Sequence, residues 1–114
     1  MNMEQDDRQT TLAQVKSWVQ KFCEARDWDP YHGPKDLAIG VVTEGSELLE
    51  IFRFVGEKDL PKMMQDQGVR AQIADELADS LYFILRFAQL YDFDLAQALS
   101  QKLEKNEKKY PVEK

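Results

Sequence analysis

Cys23 has no second cysteine to pair with, so the chain forms no internal disulfide; it reads as a protein of a reducing compartment, with the cytoplasm as the expected location. No apolar run approaches the ~18 residues that a membrane span requires, and Met1 to Thr10 is polar and acidic, without the apolar segment of an export signal. Neither insertion nor secretion is expected. Positive charge is also short, with 15 Lys and Arg against 21 Asp and Glu and a formal charge of −6 at pH 7. That argues against a nucleic-acid polymer as partner, because phosphate backbones are gripped by clustered Lys and Arg. One histidine, His32, is too few for a usual zinc site, and there is no Ser/His/Asp set, P-loop or dinucleotide fingerprint. Strand-like alternation of useful length, internal repeats and low-complexity tracts are absent as well.

What is present suits one small soluble domain: 114 residues, 43% hydrophobic and 32% charged, too apolar for intrinsic disorder. Residues 1–10 are expected to be a disordered tail and 11–112 the folded domain. Leu12, Val15, Val19 and Phe22 recur at helical steps and predict a first helix over 11–26, capped by Thr10 or Thr11. An aromatic loop follows over 27–36, broken by Pro30, Gly33 and Pro34. A second helix is expected over 37–55, with Asp36 as N-cap and Gly56 at its C-terminal stop. A charged connection over 57–68 has room for a helical turn near Pro61. The third helix, over 69–91, is apolar around most of its circumference after Glu76 and is expected to be central. The fourth starts after Asp94 and ends at Pro111. The expected architecture is an all-α four-helix bundle.

Four acids interrupt this pattern where apolar residues belong. At about 100° per residue, Leu37, Val41, Leu48, Ile51 and Val55 share a narrow arc, and Glu44 falls inside it, with Glu47 about 60° to one side. Glu50 projects into solvent. On the third helix Glu76 aligns with Phe83 and Phe87, with Asp79 about 60° away, whereas Asp75 points elsewhere. Either pair alone is most simply a solvated helix face. Both pairs on apolar stripes of one bundle would bring four repelling, dehydrated carboxylates together, and a cation is needed to hold them. Oxygen-only ligands suit Mg²⁺, with Mn²⁺ as a substitute. A di-iron bundle fits less well, since its glutamates normally pair with Glu-x-x-His motifs.

Lys102 and Asn106 share a face with Leu95 and Leu99 of the last helix and are expected to point inward, as groups suited to phosphate; a snorkelling lysine and a fraying asparagine are the structural reading of the same pair. Lys105, Lys108 and Lys109 read as solvated charges at a helix C-terminus. Trp28 and His32 are able to stack on or hydrogen-bond a nucleobase, though such residues also anchor loops. Cys23 reads as a small core residue without a base to activate it.

Taken together, Glu44-x-x-Glu47, Glu76-x-x-Asp79 and Lys102-x-x-x-Asn106-x-x-Lys109-Tyr110-Pro111 resemble the MazG-like nucleotide pyrophosphohydrolases. The loop residues Asp27-Trp28, Tyr31-His32-x-Pro34 and Leu37 resemble more narrowly the dCTP pyrophosphatase branch. The likeness runs from about Leu12 to Val112. It implies an all-α fold assembling as a homotetramer or homodimer, and Mg²⁺-dependent cleavage of a nucleoside triphosphate to monophosphate and pyrophosphate. It implies metal ligation by Glu44, Glu47, Glu76 and Asp79, phosphate or sugar contacts from Lys102 and Asn106, and base contacts from His32 and Trp28. Glu47, at the edge of its stripe, is the candidate general base. Where the family carries an aromatic, typically a tryptophan, after the first acidic motif, this chain has Phe52-Arg53-Phe54. The competing reading is a non-enzymatic helical dimerisation module, with the third helix as its contact surface.

Overall fold

The structure, a computed structural model, describes residues 5–112, so Met1 to Glu4 of the expected tail lie outside the described residues. Among the described residues every regular element is helical: α1 (Leu12–Glu24), α2 (Pro34–Phe52), the single turn α3 (Leu60–Met63), α4 (Gln67–Leu90) and α5 (Leu95–Lys109). Short 3-10 turns at Asp29–Tyr31 and Glu57–Asp59 lie in the two longer connections.

Local chemistry sets most of the helix ends. Thr11 caps α1 in a reciprocal box with Gln14, and Asp66 and Asp94 cap α4 and α5 by accepting the Val69 and Gln97 amides. Two expected boundaries are displaced. Helix α2 starts at Pro34 rather than Leu37, with Gly33 as N-cap, so Asp36 sits in the first turn instead of capping it. Proline at the first helical position gives up no hydrogen bond and has its φ already set, which is why it begins this helix rather than breaking the chain before it. Gly56 is likewise not the stop of α2, whose C-cap is Arg53; it precedes the next 3-10 turn with an extended backbone.

Helices α2 and α4 run antiparallel and form the principal contact, with α1 laid against α4, so the third long helix predicted from sequence is the central one. Gly40 makes the closest approach possible. Its α-carbon faces the Phe83 ring, where a methyl group would stand 2.4 Å from two ring carbons. The enclosed core is small: Cys23, Leu37, Ile73, Leu85 and Ala88, together with Arg86, the one buried charged residue among those described.

Helix α5 departs from a closed four-helix bundle. It buries none of its residues, and Leu99 and Leu103 remain more than half exposed. The radius of gyration of 17.0 Å exceeds the roughly 13 Å of a compact domain of this length, as a helix left standing away from the others requires. Helical periodicity places Leu95 and Leu99 on one face, but a periodic face does not specify what covers it.

Candidate metal centre

The acids meet where α2 and α4 cross, one turn beyond the Gly40–Phe83 contact. Glu44 and Glu47 come from α2 and Glu76 from α4, and one carboxylate oxygen of each lies within 4.8 Å of the other two. Glu44 and Glu76 are half-buried, whereas Glu47 is exposed, as its place at the stripe edge predicts. Asp79 is exposed and stands outside this trio, although its charge still acts on Glu44 and Glu76. Glu50 is in solvent, paired with Arg53 at 2.9 Å.

Three side-chain oxygens are buried without a hydrogen-bond partner among the described residues: Oε2 of Glu44, Oε2 of Glu76 and Oγ of Ser80. Buried polar atoms are ordinarily satisfied, and an orphaned carboxylate oxygen is costly. Two such oxygens on facing helices, Oε2 of Glu44 and Oε2 of Glu76, together with the exposed Glu47 carboxylate, make an all-oxygen donor set. It fits a hard divalent cation such as Mg²⁺ or Mn²⁺ and supplies no soft or imidazole ligand.

The electrostatics agree with the packing. Loss of hydration, then the adjoining Glu47 carboxylate and the charges of Asp79 and Glu76, push the Glu44 carboxyl up from 4.5 to about 7. Glu76 is raised for the same reasons, dehydration first and Glu47 next. A raised acid binds its proton more tightly in the folded than in the unfolded chain. Its stabilising contribution to the metal-free protein is therefore complete below pH 4.5 and is lost as pH rises through about 7. A divalent cation competes with that proton. Adding Mn²⁺ or Mg²⁺ is thus expected to raise the Tm at pH 8 and leave it unchanged near pH 5, in differential scanning fluorimetry with EDTA controls. Equal stabilisation at both pH values would contradict a carboxylate site.

The loop before α2 is anchored by a residue the sequence reading passed over. Arg86 of α4 is fully buried; its Nε donates to His32 Nδ1 at 3.0 Å, and its other nitrogens donate to Gln89 Oε1 at 2.6 Å and to Asp29 Oδ1. Tyr91 Oη donates to the His32 carbonyl at 3.2 Å. Trp28, about one-third exposed, rests edge-on against Phe22 and holds its ring centre 6.0 Å from that of His32. His32 and Trp28 are therefore together at one end of the α2–α4 pair, partly open to solvent. Cys23 is buried with Sγ 3.1 Å from Tyr82 Oη, as a core residue.

Lys102 and Asn106 are not brought to the acids within the chain. Lys102 is exposed and Asn106 half-buried, on an α5 that buries none of its residues, so the expectation that Lys102 points into the bundle is corrected; among the described residues no other helix packs extensively on α5.

Against known proteins, the model of the MazG-like family matches residues 39–114, which include all four acids. The chain is 30% identical over 102 residues to dCTP pyrophosphatase 1 of Mus musculus and 28% identical to that of Homo sapiens, in each case covering 90% of this chain and 60% of the relative. It thus spans three-fifths of the length of these curated proteins. Among solved structures, a pyrophosphatase from Archaeoglobus fulgidus superposes with a TM-score of 0.82 at 26% identity, covering 98% of this chain and 99% of that one.

Proposed function

Because the chain belongs to the MazG-like family, we propose that it is a nucleoside triphosphate pyrophosphohydrolase, converting a (deoxy)nucleoside triphosphate to the monophosphate and pyrophosphate with Mg²⁺, or Mn²⁺ in its place. The observation that carries this reading is the pair of buried, unpartnered oxygens on Glu44 and Glu76, facing one another across antiparallel helices with Glu47 beside them. Glu44, Glu47, Glu76 and Asp79 would hold the cation, which when bound supplies charge neutralisation for the triphosphate and the leaving pyrophosphate. Glu47, the most exposed of the trio, takes the proton of the attacking water as general base. Trp28 and His32 contact the base, and the similarity to dCTP pyrophosphatases makes dCTP, or a modified deoxynucleoside triphosphate, the first substrate to test.

Phosphate or sugar contacts fall to Lys102 and Asn106, delivered by α5 within a homodimer or homotetramer. The exposed apolar side chains of α5, together with Leu49, Phe54 and Leu77, support such an assembly. The same faces would serve a non-catalytic dimerisation module, which would show neither metal- nor nucleotide-dependent stabilisation. No helix of the described residues is long and apolar enough to cross a membrane, and we place the enzyme in the cytoplasm.

The test is incubation with canonical and modified deoxynucleoside triphosphates and Mg²⁺, with products resolved by anion exchange. Equal amounts of monophosphate and pyrophosphate are expected, with none when EDTA is present. A diphosphate plus orthophosphate, or no turnover on any substrate, contradicts the proposal.

A further inference from the structure

Arg86 has no part in the chemistry proposed above, yet it is the one charged side chain buried among the described residues, and it lies on the same face of α4 as Asp79, seven residues before it. An arginine at such a position normally needs a dedicated partner, because an unpaired buried charge is strongly disfavoured. Here the fork is filled on three sides, and two of its partners, Asp29 and His32, belong to the loop preceding α2. The sequence separation of 57 and 54 residues makes the fork a tertiary clamp rather than helix-surface decoration.

The contact to His32 has a chemical consequence. A guanidinium has donors and no lone pair, so the Nδ1 atom that receives its Nε–H must itself carry no proton. An imidazole in that state is neutral, with its remaining proton on Nε2. We propose that Arg86 is a positioning residue that fixes His32 as the Nε2–H tautomer, so that the Trp28–His32 loop presents a hydrogen-bond donor to a carbonyl or ring-nitrogen acceptor of the base. Tyr91 secures the backbone of the same residue through its carbonyl, so ring orientation and main chain are both held. The clamp lies about 15 Å along α4 from Glu76, counted as ten residues of helix, which separates the end that reads the base from the end that holds phosphates.

The charged groups around the ring act in both directions. Burial and the Arg86 charge lower the His32 pKa from its usual 6.5, in that order, while Asp29 in the loop and Asp36 on α2 oppose them. His32 therefore carries less charge than a free histidine at the same pH.

The ligand half of the proposal rests on the nucleotide reading; the clamp does not, and it is tested separately. His32 is the only histidine, so a long-range ¹H–¹⁵N correlation spectrum of the uniformly labelled full chain shows one imidazole. Without nucleotide, the expected spectrum is that of a neutral Nε2–H ring with unprotonated Nδ1, persisting below pH 6.5. An Nδ1–H ring, or titration at 6.5 or above, overturns the clamp. Arg86→Lys keeps the charge and loses the fork; it should move the His32 pKa up towards 6.5 and raise KM for the preferred triphosphate by about tenfold, the worth of one hydrogen bond, with kcat changed less than about twofold. An unchanged KM with a released tautomer overturns the base-reading role alone. Should Arg86→Lys fail to fold, Asp29→Asn decides: the Nε2–H tautomer should persist with a still lower pKa, and a mixture of tautomers counts against Arg86 as the fixing group.

Discussion

Glu76→Gln is expected to lower pyrophosphate release by at least about 100-fold while raising the Tm of the metal-free protein at pH 8. The activity loss follows from removing one of the two buried anionic oxygens that face each other across α2 and α4; even the outer partners of metal ligands typically cost about 10–100-fold when lost. The gain in stability has a separate origin. Glu76 sits dehydrated beside Glu47, with the charge of Asp79 adding to the repulsion, and an amide of nearly the same size removes the charge without opening a cavity. The gain should fade as pH falls, because a carboxyl whose pKa is raised takes up its proton sooner and then no longer carries the charge that the amide removes, and the response of Tm to Mn²⁺ should disappear with the activity. Opposite movement of activity and stability is diagnostic, since a variant that merely unfolds loses both. A Glu76→Gln protein with full turnover and an intact metal response would remove the acid cluster from the mechanism.

Gly40→Ala is expected to be the most damaging single-methyl change. Alanine is the better helix former by about 1 kcal/mol in the interior of an exposed helix, which taken alone predicts a stabilised α2. The methyl would stand 2.4 Å from two Phe83 ring carbons, a distance no real contact adopts, so either the ring or the whole helix must shift. Overpacking of this kind costs about 1–3 kcal/mol, and the wedge lies one turn from Glu44, where any spreading of α2 from α4 also opens the acid cluster. A fall in Tm of roughly 5–15 °C is expected from the size scaling of small domains. Adding Phe83→Leu should recover part of the loss, because the two residues share one contact and their effects are not additive. Unchanged stability in Gly40→Ala would mean that the helices are not held this closely.

The residues that were legible in the sequence are those whose signal is local. Glu44 and Glu76 stood out because a carboxylate on an apolar stripe is visible in the periodicity of its own helix, and the caps Thr11 and Asp94 act on amides three residues away. Arg86 carried no such signal: its partners Asp29 and His32 are more than fifty residues distant, and nothing in the spacing of α4 separates a buried arginine from one projecting between leucines. Asp79 was placed near the trio by projection, yet its greater exposure depends on where α2 ends up rather than on the pattern of α4. The same limit applies to α5. Its amphipathic face was evident, but the absence of a covering helix in the same chain is a tertiary fact, and it leaves Lys102 and Asn106 away from the acids they were expected to join.

The side-chain-free contact at Gly40 also sets a gauge. With an aromatic ring seated directly on the α2 backbone, the spacing between the two helices cannot relax inward, and spreading it would surrender the close Gly40–Phe83 contact. Oxygen ligands surround magnesium at about 2.0–2.1 Å but calcium at about 2.3–2.6 Å, in larger and looser shells. A helix spacing held by a neighbouring glycine is therefore expected to favour the smaller ion, and calcium should support less turnover at these acids than magnesium.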